Sequence, residues 1–407
     1  MTNGFDLKLP HSRLRGLVDS LMSDVQDYDA AFASIAWSVI CEPGDGFAGL
    51  LIESLGAAQA LSLELTQVEP SAYAEKISER GSHLIDDLTY DRFAKALNDS
   101  RQRWRPRFSL GAVEIAVSNA ANAGGWFLTP DSAAWPAGFA DLGRHQPRGI
   151  WGLGNQESLA LPALSLVGSR MATNYGEFAT AEMANTLVQA GYATVSGGAY
   201  GIDSIAHRAT LSAKGDTVAI MAGGLDRLYP SGNGELFSRI LVNNCLISEL
   251  PPGAEPTKWR FLQRNRLIAA AGLATVVVEA SPRSGAVSTA NRAVELGRPL
   301  GAVPGPINSP TSQGCHDLIR NSLAQLISRG EDALELVGNS GMATEQLISG
   351  LGALETRVLD AIGFGKASSK QIAMRGGLTV SEVEIGLASL RLLGLIGGDS
   401  NGWKRQQ

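Results

Sequence analysis

The sequence predicts a doubly wound, mostly parallel α/β sheet, with a helical module before it and a small three-helix module after it. Three observations carry this. Six short apolar runs between residues 164 and 303 alternate with helical stretches, the pattern of a parallel sheet covered on both faces. The first three runs end in glycine turns, at Gly168, at Gly197-Gly198 and at Gly223-Gly224. From about residue 28 to 125 the apolar spacing is helical and strand-type alternation is scarce. A chain of 407 residues allows two or three domains.

The elements follow in order. Segments 28–41 and 47–55 carry apolar residues at helical spacing, and Gly56 reads as a stop. Residues 101–107 (RQRWRPR) form a basic run around Trp104, broken by Pro106; the reading taken is a solvated helix end. The six strands are placed at 164–167, 192–195, 217–221, 245–250, 274–280 and 300–303. Helices are placed at 176–190, 203–213, 235–242, 264–272 and 287–296. Residues 338–353 (GNSGMATEQLISGLGA) read as a linker. Helices follow at about 354–362, 368–375 and 380–393, the last opened by a Thr379/Glu382 capping box, and GGDSNGWKR reads as a β-ribbon. Three short helices and a ribbon are the winged-helix plan. The resulting division is a helical module over 1–125, a sheet domain over 126–337, the linker, and a winged-helix module over 354–407.

Composition excludes several classes. With 44% hydrophobic and 18% charged residues, neither disorder nor a fibre fits. Cys41, Cys245 and Cys315 are far apart and form no CxxC pair, so neither structural zinc nor a disulfide framework is expected and a reduced, cytoplasmic setting is. The first residues lack a signal-type apolar stretch, and the longest uncharged apolar run is 12 residues, too short for a bilayer. The net charge of -6 is uneven. Residues 1–125 carry -6, residues 126–340 carry -1 and residues 341–407 carry +1. Polyanion binding by the middle therefore depends on clustering of its cations.

Two glycine turns invite an anion, because glycine allows close backbone approach and helix starts offer free N–H groups. They are Gly168-Ser169-Arg170 and Gly197-Gly198-Ala199-Tyr200-Gly201. The first does not fit G-x-G-x-x-G, and the second strand ends without a ribose-binding carboxylate, so a dinucleotide is not the expected guest. A phosphate-loop motif is missing from the sequence, and no G-x-S-x-G elbow follows any of the six apolar runs. Ser204 and His207 fall at i, i+3 with no placed acid and read as a capping Ser and a packed His. The sharpest feature is residues 258–266, KWRFLQRNR, with four cations, two aromatics and no acid, placed between the fourth strand and its helix. Cations suit phosphates and flat rings suit unstacked bases. Arginines at a helix start also oppose the dipole, which makes a purely structural role less comfortable.

These residues resemble the DNA-processing protein A family (DprA, also called Smf). The likeness lies in VGSRMATNYG (167–176), SGGAYGIDSIAH (196–207), AGGLDRLYP (222–230), SELPPG (248–253), FLQRNRLIAA (261–270), VVVEASPRSGAVSTA (276–290), GRPL, VPG and SQGCHDLI (312–319), in the family's order. The resemblance implies an extended Rossmann-like fold, with a SAM-like helical module and a winged helix as added parts. It implies a binding protein rather than an enzyme. Such a protein takes single-stranded DNA, dimerises through the Rossmann-like domain and helps load the RecA recombinase, with no cofactor, metal or membrane partner. The strand-binding residues it implies are Arg170 with Gly168 and Ser169, then Lys258, Phe261, Arg264, Asn265 and Arg266. Gly197, Gly198 and Gly201 would provide close approach. Tyr200, counted with the strand-binding residues, stands where many members have Lys or Arg and would offer a ring to a base instead; Leu262 stands where Pro is usual. The competing reading is a nucleotide enzyme of the phosphoribohydrolase type, for which Glu279 is the available carboxylate. The third helix of the C-terminal module carries Glu382 and Glu384 near its start, which argues for a partner-binding or regulatory role over duplex reading.

Overall fold

All six apolar runs are strands of one nine-stranded sheet in the computed structural model, which describes residues 11–23, 25–80, 89–338, 352–363, 366–393, 395–399 and 402–405. The strands are β1 (Trp126–Leu128), β2 (Ile150–Gly154), β3 (Ala163–Val167), β4 (Ala193–Ser196), β5 (Thr217–Met221), β6 (Cys245–Ser248), β7 (Thr275–Val277), β8 (Leu300–Ala302) and β9 (Gln325–Leu326). Their spatial order is β1-β2-β6-β5-β4-β3-β7-β8-β9. The β1–β2 and β2–β6 pairs are antiparallel and every other pair is parallel. The order reverses between β3 and β7, the switch point at which open sheets of this kind receive ligands.

Strands β3 to β8 are buried along their whole length, which is why they read as continuous apolar runs and not as alternation. The three unexpected strands carry no such signal. β1 has three residues and β9 has two exposed ones. β2 contains Gly152, where a Cβ would stand 2.1 Å from the Trp126 ring.

The helices at 28–41 and 47–55 appear as Tyr28–Ile40 and Gly46–Leu55. Phe32, Trp37 and Leu51 share one hydrophobic cluster with Phe127, Trp151, Met221 and Phe237 of the sheet region. The helical module and the sheet thus belong to one compact unit, Met1–Gly338, and the remainder, Asn339–Gln407, is a second. The change in composition at residue 125 is not a break in packing. Glu249 reinforces the union by accepting from Gly44 N at 3.1 Å and from Arg266 Nη2 at 2.7 Å. The run at 101–107 serves the same core. Trp104 is buried and donates to Asp45 at 2.9 Å, while Arg101 pairs with Glu64 at 3.1 Å.

Among the described residues no single helix is long and apolar enough to cross a membrane. The helices Gly46–Leu55 and Ala57–Leu65 are apolar together, but they meet at 110° and bury Leu51, Leu55 and Leu61 in the core.

In the second unit, helices Ala353–Ile362, Ser369–Gly376 and Val380–Leu392 precede an antiparallel ribbon, Ile396–Asp399 with Gly402–Arg405. The Thr379/Glu382 capping box is present, and Ser368 and Gln371 form a second one. Most of the proposed linker, residues 339–351, lies outside the described residues.

Ser204 and His207 are structural. Ser204 Oγ donates to Gly201 O at 3.0 Å. The Thr217 hydroxyl donates to Thr194 O at 2.8 Å, so it accepts from His207 Nδ1–H at 2.7 Å. His207 Nε2 is then an unprotonated, buried atom with no partner among the described residues. Burial, assisted by Arg264 and Arg208, pushes the His207 pKa down to about 3. The native state therefore binds fewer protons than the unfolded chain between pH 6.5 and 3, and stability falls as pH drops through that window. Wild type is expected to lose about 2 kcal/mol more than His207→Gln between pH 6.5 and 5 in urea unfolding, at about 1.4 kcal/mol per pH unit. Equal losses in the two proteins would show that His207 is not the group responsible.

Candidate nucleic-acid interface

The basic segment lies inside a helix and not ahead of one: the helix runs Lys258–Ala271, six residues earlier than its apolar spacing suggests. Thr257 caps it, its hydroxyl accepting from Arg260 N at 3.3 Å. At 100° per residue the segment divides between faces. Phe261 and Arg264 lie on one flank. Trp259, Gln263 and Arg266 lie on the opposite flank, and Lys258 and Leu262 between them.

On the first flank an aromatic and cationic cluster forms at the carboxyl edge of the sheet. Arg170, exposed in the turn after β3, holds its guanidinium 5.2 Å from the centre of the Phe261 ring. Tyr229, half exposed, lies 5.7 Å from the same ring at 58°. Arg264 lies 5.8 Å from it on the inner side. Lys258 is exposed, one turn before Phe261, with no partner among the described residues. A cation in a first helical turn is unfavourable. Arg260 in that turn is offset by Glu42 at 2.7 Å, whereas Lys258 has no such compensation. Arg170, Tyr229, Phe261 and Lys258 thus present flat rings flanked by accessible positive charge.

Three of the expected strand-binding residues face inward instead. Arg264 is 6% exposed, and its Nη1 donates to Gly197 O at 2.6 Å and Ile220 O at 2.5 Å. Its pKa falls to about 10 through burial. Asn265 donates to Gly285 O at 3.2 Å, and Arg266 pairs with Glu249. These side chains hold the edge together and do not line its outer surface. The register of the helix decides this, and the string of cations, read as lying between the fourth strand and its helix, gave no sign of it.

The glycines are likewise taken up by the protein itself. A Cβ at Gly168 would stand 2.5 Å from Ile202, and one at Gly197 2.2 Å from Arg264. Gly201, at φ +75°, lies against Ser169 O, and Gly198 O accepts from the buried Asn233 at 2.9 Å. In the second turn Ile202 N donates to Ser169 O at 3.0 Å and Ala199 N to Asp203 at 3.4 Å. Asp203 therefore occupies the anion position at this helix start, with burial raising its pKa. Ser169 Oγ accepts from Met171 N at 3.1 Å. The turns shape the edge; the phosphate cradle expected of them is filled from within.

Tyr200 is exposed and its ring packs on Gly232. The short loop from Tyr229 to Gly232 thus links it to the Phe261 cluster. Tyr229 itself was missed by charge-based reading; its only signal was its place in AGGLDRLYP. Glu279, the carboxylate an enzymatic reading needs, is 2% exposed near the β3/β7 switch point. It accepts from Thr173 N at 2.9 Å, Thr173 Oγ1 at 2.6 Å and Thr311 Oγ1 at 3.2 Å. This knot ties the turn after β3 to the end of β7. Among the described residues no group of three or more His, Cys, Asp or Glu side chains is placed to hold a metal.

Fold and edge together define a Rossmann-like protein with an exposed cationic and aromatic edge. A family model described as DNA recombination-mediator protein A matches residues 126–338. The chain is 43% identical over 300 residues to the putative DNA processing protein DprA of Mycobacterium tuberculosis, covering 69% of this chain and 77% of that protein. It is 40% identical over 185 residues to the DNA processing protein DprA of Streptococcus pneumoniae, covering 44% and 64%. The X-ray structure of the latter superposes with a TM-score of 0.56 at 26% identity, over 76% of this chain and 98% of that one. This chain belongs to the DNA recombination-mediator protein A family, the DprA/Smf proteins, and is a DNA-processing recombination mediator by that membership.

Proposed function

We propose that this protein binds single-stranded DNA along the edge formed by Arg170, Lys258, Phe261 and Tyr229, and in that state helps load RecA recombinase onto the strand. The observation that carries the binding reading is the Arg170–Phe261–Tyr229 cluster, with the Arg170 guanidinium 5.2 Å and the Tyr229 ring 5.7 Å from the Phe261 ring, beside a Lys258 that has no partner among the described residues. Unpaired bases stack on such rings at little cost in sequence preference, and the two cations meet the phosphates. A duplex keeps its bases stacked inside and gains only the charge component. The RecA step, homodimerisation through the sheet domain and a cytoplasmic location rest on family membership. The three-helix unit is read as a partner-binding or regulatory element. Its third helix opens on Glu382, whose pKa is lowered by hydrogen bonds from Thr379 N and Oγ1, so a fixed negative charge faces any phosphate approaching there.

Fluorescence anisotropy of the full chain with labelled oligo-dT and the matching duplex, at two salt concentrations, tests the binding reading. The single strand is expected to bind the more tightly, with a log–log salt slope of about -1.4 for two neutralised phosphates. Equal affinity for duplex and single strand would remove the stacking argument.

A further inference from the structure

The opposite flank of the helix Lys258–Ala271 opens on a cleft of about 930 Å³ where the N-terminal helices meet the sheet domain. Its volume is that of a ligand site, and nothing in the Phe261 cluster uses it. Trp259 forms one wall and is 58% exposed. Phe47 and Leu50 face it from helix Gly46–Leu55, Ala96 from helix Tyr90–Trp104, and Leu142 and Leu296 close the other side.

The charges around it are balanced and mostly engaged. Glu42 pairs with Arg107 and Arg260. Asp45 accepts from the amides of Phe47 and Ala48, and Asp141 pairs with Arg298 at 2.7 Å. An apolar cleft without net charge suits a flat, uncharged guest better than a phosphate. Lys258 sits at the shoulder between this cleft and the Phe261 cluster, adjacent in sequence to Trp259 and one turn from Phe261.

We infer that the cleft is a second subsite for the same unpaired strand: bases beyond the Phe261 cluster cross the helix start, with their phosphate at Lys258, and stack against Trp259. This rests on the single-strand reading above and extends it to a longer footprint.

The test compares oligo-dT of about six nucleotides with one of about sixteen, within the range of known site sizes. The full-length wild type is measured beside Trp259→Ala, Trp259→Phe and Ala96→Trp, the last of which fills the cleft without touching Trp259. Trp259→Ala and Ala96→Trp are expected to weaken the longer strand about tenfold and leave the shorter within twofold, with Trp259→Phe restoring most of the loss. If wild type binds both strands but these variants weaken both equally, or neither, the second subsite is overturned and the first stands. If wild type binds neither strand, the single-strand reading itself fails, and this inference with it.

Discussion

Phe261→Ala is expected to lower the affinity for oligo-dT by roughly 5- to 100-fold, the range for loss of one stacking ring. The ring does two things at once. It offers a face to a base, and it positions the Arg170 guanidinium 5.2 Å away. Its removal therefore loosens a phosphate contact as well as a stack. Phe261→Trp keeps a flat face and is expected to retain most of the affinity. Arg170→Ala separates the two contributions. It should weaken binding with the salt slope falling by about 0.7, the share of one phosphate on a single strand. Phe261→Ala should change affinity with a smaller change in slope. Gel-shift titrations at two salt concentrations read both quantities. Arg170→Ala and Phe261→Ala binding as well as wild type would reject this edge as the interface.

Arg264→Met is expected to act on stability first. The guanidinium ties the end of β5 to the turn after β4 by bonds to Ile220 O and Gly197 O, and it backs the Phe261 ring from inside. Asp203, buried beside it, depends on its charge. Methionine fills much of the volume but removes a charged donor from two buried carbonyls, at about 1–3 kcal/mol each. A loss of about 2–5 kcal/mol in urea unfolding follows. Under conditions where the variant is folded, strand binding should fall because Phe261 loses its support, yet the salt slope should stay that of wild type. A reduced slope with unchanged stability would instead make Arg264 a phosphate ligand.

The two residues show where a linear reading separates from the folded object. Both lie in KWRFLQRNR, and by charge Arg264 is the equal of Lys258. Only the helix register turns one to solvent and the other to the sheet. The six strands β3 to β8 were legible because strands buried along their whole length must be apolar throughout. β1, β2 and β9 were not, being short, glycine-interrupted or exposed. The glycine turns were legible as places of close approach, but not what approaches. At Gly197 it is Arg264, and at Gly176 it is the Glu279 carboxylate, within 2.3 Å of a would-be Cβ.

By itself the amino-acid order determined the alternation of strand and helix, the position of the turns and the segment in which cations and rings accumulate, because each depends on neighbours a few residues apart. The tertiary structure decided which of those groups remain available to a ligand. Arg170, Tyr229 and Phe261 come from three separate connections, and the helix Lys258–Ala271 has one face against the sheet and another on the cleft beside Trp259. Accessibility of a charge or a ring is settled by packing between distant segments, and local sequence carries no record of it.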